Sequence, residues 1–125
     1  MEDAARIQSG FFPALARFIK APEYKESLKE ALVIQLEILN EHLEKKGTKY
    51  YAGSNISLVD FSLAPKLYHM NFTLEEFYPD VHQKMKTYSA LNCYMETMFN
   101  ENAFKITSYP RDTVLWGWSN ARGGN

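Results

Sequence analysis

The sequence predicts an all-α fold, on three observations. Apolar residues recur at helical spacing in successive segments of the 125-residue chain. No apolar–polar alternation persists long enough to propose a strand. One segment also opens with a complete helix-start signal. Ser57 and Asp60 have the spacing of a capping box, and Ile56 and Phe61 occupy the two positions of a hydrophobic staple.

The first element expected is a helix over 3–20, carrying Ile7, Phe11, Ala14, Leu15, Phe18 and Ile19 at helical spacing. Pro13 is expected to bend or interrupt it, giving two short pieces. Pro22 suits the start of the next helix, read over 23–46. There Leu28, Leu32, Leu36, Leu39 and Leu43 mark one apolar face. Glu41 and Lys45 are placed for an ion pair, and Lys45-Lys46 before Gly47 suit a helix C-terminus.

The central helix begins at Leu58 and is expected to end near Phe77. Val59, Phe61, Leu63, Ala64, Leu67, Tyr68, Met70, Phe72 and Leu74 cover most of its circumference, the mark of a buried helix. Pro65 inside the run removes one backbone donor and predicts a kink. A narrow polar stripe remains, formed by Ser62, Lys66, His69, Thr73 and Glu76, and it must meet water, a partner surface or a ligand.

Downstream, 80–86 reads as a short helix or loop, and Tyr88, Leu91, Met95, Met98 and Phe99 predict a helix over about 89–100. Asn100-Glu101-Asn102 mark a break before a short helical turn through Phe104. The tail from Tyr109 is read as an ordered irregular segment that packs its aromatics, with a frayed end at Arg122-Gly123-Gly124-Asn125. A single helical domain over 1–125 is therefore expected.

Composition narrows the function classes. A net charge of −1 leaves no basic footprint for nucleic acid and no polybasic membrane patch. No apolar run approaches a membrane span. A single cysteine rules out an internal disulfide framework. Glu2 and Asp3 ahead of any apolar run do not fit a signal or transit peptide. His42, His69 and His82 are dispersed without a second ligand at useful spacing, so no metal site is expected.

Two motifs carry a family resemblance. Gly53-Ser54-Asn55-Ile56-Ser57-Leu58-Val59-Asp60 resembles the capping motif of the helical C-terminal domain of glutathione S-transferases. Its continuation Phe61-Ser62-Leu63-Ala64-Pro65-Lys66-Leu67-Tyr68-His69, with the late Gly117-Trp118, resembles plant-type dehydroascorbate reductases and more loosely the chloride intracellular channel proteins. The resemblance implies a glutathione S-transferase C-terminal-like helical bundle. The activity it implies is reduction of dehydroascorbate to ascorbate by glutathione as co-substrate, in the cytoplasm or the chloroplast stroma. Family members place the catalytic cysteine and most of the glutathione site in a thioredoxin-like domain. No such pattern occurs in this sequence, so the chain alone is expected to be inactive, with that domain as its partner in a longer chain or in trans. The alternatives are a non-catalytic interaction or scaffold module and, on the looser resemblance, a membrane-inserting domain, against which the lack of an apolar span counts.

No catalytic residue is therefore assigned. Cys93 lies mid-helix, opposite the apolar face, with nothing in sequence to activate it, and is read as incidental. Lys66 and His69 have two readings: holding an anionic substrate at an interdomain cleft, or bonding neighbouring helices, the latter preferred. The resemblance implies that Trp118 walls the substrate cleft; its other reading is an aromatic anchor for the tail. Trp116 departs from the smaller residue expected before that glycine. Ser57, Asp60, Ile56 and Phe61 are structural capping residues.

Overall fold

The computed structural model describes residues 9–101, 104–105 and 108–122. Six helices lie among them: α1 (Phe11–Lys20), α2 (Glu26–Lys46), α3 (Leu58–Phe77), α4 (Pro79–Met85), α5 (Ser89–Phe99) and α6 (Arg111–Ala121). Residues 104–105 are also helical. Ile7, Asn102 and the expected fraying at Gly123-Gly124-Asn125 lie outside the described residues.

The core forms around α3. Leu63, Ala64, Leu67, Met70 and Leu74 of this helix are fully buried. Packed with them are Phe11, Leu15, Phe18 and Ile19 of α1, Leu32, Leu36 and Leu39 of α2, and Leu91 and Met98 of α5. α3 touches α1, α4, α5 and α6, which makes it the central helix of the bundle. It runs through Pro65 to Phe77, with the proline ring on an exposed position.

Local chemistry accounts for the element ends. The α3 capping box is formed. Its backbone half is a 2.8 Å bond from the Ser57 amide to Asp60 Oδ2. Ile56 packs against the core, whereas Phe61 is 47% exposed and does not bury itself as a staple residue would. α2 ends where Gly47 adopts φ 62°, the left-handed geometry that favours glycine, and the Gly47 amide closes on the Leu43 carbonyl. The Glu41–Lys45 pair forms at 3.4 Å.

Four further expectations are corrected. Pro13 does not divide α1 among the described residues; it sits in the first turn, where its missing N–H would have had no helical partner. Pro22 does not start α2. The chain bends over 21–23, Lys25 is extended, and Glu26 is the first helical residue. The tail is helical from Arg111 to Ala121, because Pro110 fits an N-cap position and Val114 and Trp118, one turn apart, bury one face. Nor does Arg122 fray: it donates to the Ile19 carbonyl at 3.1 Å and stacks 4.5 Å from the Phe77 ring centroid. The segment 80–86, read as helix or loop, is the helix α4, begun by Pro79 in its first turn.

Candidate functional site

The polar stripe of α3 is where α1 and α6 dock. Its five residues meet different fates. Ser62 stays exposed and accepts a 3.4 Å contact from Lys66 Nζ. Thr73 is fully buried, its hydroxyl donating to the His69 carbonyl at 2.8 Å. Glu76 meets Arg111 at the start of α6, at 3.2 Å. His69 accepts at Nδ1 from the Trp118 indole N–H, 2.8 Å away. A fifth tie comes from the neighbouring Tyr68, whose hydroxyl donates to the Tyr109 carbonyl just ahead of α6.

Of these contacts the His69–Trp118 bond stands in the wall of an open cavity of ≈ 450 Å³ between α1, α3 and α6. Phe12, Ala16 and Lys20 supply the α1 side, and His69, Trp116 and Trp118 face it. Phe12 meets Trp118 edge-on, with ring centroids 6.0 Å apart. Lys66 lies just beyond, its Nζ 5.9 Å from the Phe12 centroid. Trp118 is 8% exposed and Trp116 70%, so one indole is fixed in the wall and the other stands at the rim. Burial pushes the His69 pKa down, which keeps the imidazole neutral. The structure thus brings two of the three sequence-predicted cleft residues, His69 and Trp118, into one cavity and leaves Lys66 at its edge.

A larger depression of ≈ 570 Å³ lies at the α3–α4 junction, lined by Tyr24, Phe77, Tyr78 and Lys84 among others. Of its charged residues Asp80 and Lys84 are exposed and Lys29 is half-buried. It contains none of the residues singled out by the motifs.

Asp60 has a wider role than capping. It is 0% exposed. Besides the Ser57 amide, it accepts from the Tyr51 amide at 3.0 Å and the Tyr94 hydroxyl at 2.6 Å. The carboxylate therefore ties the loop before α3 to α5. Desolvation, then the bond to Asp60, raises the Tyr94 pKa, so the phenol remains a donor. His42 completes the shell, stacking on Tyr51 at 4.2 Å and bonding the Tyr51 carbonyl at 2.8 Å. None of this was legible locally, since Tyr94 and Asp60 stand 34 positions apart.

Sequence reasoning missed the cavity residues of the tail, Tyr109, Thr113, Val114 and Ala121, and those of α1, Phe12, Ala16 and Lys20. The α1 residues sit on the flank of that helix beside its core face, and no spacing distinguishes a cavity flank from a solvent flank. Cys93 is exposed and does not line this cavity. No cluster of three or more metal-ligating side chains occurs among the described residues.

Comparison with known proteins agrees with this architecture. The family model for the glutathione S-transferase C-terminal domain matches residues 3–102. Glutathione S-transferase DHAR2 of Arabidopsis thaliana is 31% identical over 114 residues, covering 91% of this chain and 53% of the relative. Probable glutathione S-transferase DHAR1, cytosolic, of Oryza sativa subsp. japonica is 31% identical over 115 residues, covering 92% and 53%. Glutathione S-transferase DHAR3, chloroplastic, of Arabidopsis thaliana is 29% identical over 120 residues, covering 93% and 44%. The chain spans about half the length of the curated relatives it matches. By its helical architecture and this match, the chain belongs to the glutathione S-transferase C-terminal domain family.

Proposed function

We propose that this chain is the helical half of a glutathione-dependent dehydroascorbate reductase. Its role is to wall the substrate cleft and to dock a thioredoxin-like half that brings the nucleophilic cysteine and most of the glutathione site. The reaction reduces dehydroascorbate to ascorbate by two electrons, with two glutathione thiols oxidised to the disulfide. The single observation that supports this reading is the cavity between α1, α3 and α6, walled by Trp118 and His69. A cytosolic or chloroplast setting accords with the relatives, whose names include both.

Within this scheme the chain supplies binding and shape and no nucleophile. Cys93 is exposed and does not line the cavity. Trp118 offers a rigid aromatic wall and His69 a polar group beside it, a combination suited to orienting a small polyoxygenated carbonyl compound.

The test is a dehydroascorbate-plus-glutathione assay on this chain alone and on a fusion with the thioredoxin-like half of a plant relative. Background rate alone and turnover in the fusion are expected. Turnover by the chain alone would overturn the location of the nucleophile. A soluble, folded but inactive fusion would favour the scaffold reading instead.

A further inference from the structure

We infer that the buried wall of the cleft offers a ligand one hydrogen-bond donor, His69 Nε2–H, and that Trp118 acts on the ligand's polar atoms only through His69, as a positioning residue. The inference rests on reading this cavity as the substrate cleft, and it assigns the polar contact within it.

The geometry starts from an asymmetry between the two rings. An indole N–H can only donate, so the nitrogen it meets must carry a lone pair. At 2.8 Å from Trp118 Nε1, His69 Nδ1 is that acceptor. A neutral imidazole with Nδ1 unprotonated carries its proton on Nε2. The Trp118 N–H is thereby consumed inside the wall and is not available to a ligand. His69 lines the cavity, and Nε2 has no hydrogen-bond partner among the described residues.

The surroundings hold this arrangement in place. Trp118 is wedged edge-on against Phe12 and is 8% exposed, so its ring has little freedom to turn away. The main chain at His69 is held from the other side by the Thr73 hydroxyl. A ligand satisfying Nε2–H must present a lone pair, as a carbonyl or carboxylate oxygen does, and lay an apolar edge or ring face on the indole. Lys20, Thr113 and Trp116 also carry donors along the cavity, but on exposed positions, so His69 Nε2–H is the donor set in the wall and the rest of the lining is mostly apolar.

Solution NMR with 15N-labelled histidine tests this, using dehydroascorbate as the probe. In the wild-type chain His69 should show an acceptor-type Nδ1 and a protonated Nε2, and the probe should move Nε2 more than Nδ1. Trp118→Phe keeps a ring in the wall but deletes the N–H. His69 should then average between tautomers, and probe affinity should weaken by about three- to tenfold, the effect of misplacing one hydrogen bond. His69→Phe should weaken binding at least as much. A wild-type Nδ1–H tautomer would overturn the inference. So would a probe that shifts Thr113 and Trp116 resonances while leaving Nε2 unmoved, a result that keeps the cleft but removes His69 as its donor. A probe that shifts no cavity resonance would overturn the inference together with the cleft itself.

Discussion

Burying a carboxylate without a cation is costly unless donors replace its water. Asp60 does this with the amides of Ser57 and Tyr51 and the Tyr94 hydroxyl. Removing it strands three donors in the interior, so Asp60→Ala should cost about 3 kcal/mol or more, read from urea unfolding. Ser57→Ala leaves the Ser57 amide bonded to Asp60 and should cost no more than about 1 kcal/mol, the usual cap value. Equal losses in the two variants would show that Asp60 serves only as a capping partner. The capping pair itself was legible from a spacing of three residues. Tyr51 and Tyr94 were not, because the interaction that recruits them spans two loops and a helix.

At the scale of elements, α6 shows which contacts carry weight. Arg111 bridges Glu75 and Glu76 at 3.6 and 3.2 Å, but all three side chains are largely solvated. Arg111→Ala should therefore cost less than about 1 kcal/mol. Trp118→Ala empties a buried indole site between α1 and α3 and should cost about 3 kcal/mol, with hydrogen exchange in α6 accelerating before the core. Gly117 occupies the interior of the same helix, and a Cβ there would meet nothing within 4 Å. Gly117→Ala should thus raise stability by about 0.5–1 kcal/mol, seen as a higher Tm. The sequence reading of this tail as irregular had a physical cause. Thr113, Val114, Trp116 and Gly117 are poor helix formers, and only burial of Val114 and Trp118 against α1 and α3 repays the helix.

For the whole molecule, titration brackets stability from both sides. Burial lowers the pKa of His69 and, aided by Lys86 and opposed by Glu75, that of His82, both from 6.5. The unfolded chain therefore binds more protons once the pH drops below about 6.5, and stability falls from there toward the lowered native values. At the alkaline end, burial holds the Tyr51 and Tyr94 phenols protonated beyond their ordinary 10.0. Unfolding then releases protons above that value, so stability falls again as pH rises past 10.0. Urea midpoints measured between pH 5 and 11 should trace this plateau, and His69→Gln should flatten part of its acid side.

The all-α class, the α3 start at Ser57 and Asp60, the core faces of α1, α2, α3 and α5, and the family can all be read from the residues in order. Those properties are written in spacings of three and four residues and in a motif read within one segment. That the α3 stripe receives α6, that Trp118 spends its N–H on His69, and that Phe12, Ala16 and Lys20 close the cavity emerges once the helices are packed together. The reason is physical. Periodicity reports which side of a helix is apolar, whereas a cavity depends on how far the side chains of several helices fall short of meeting one another.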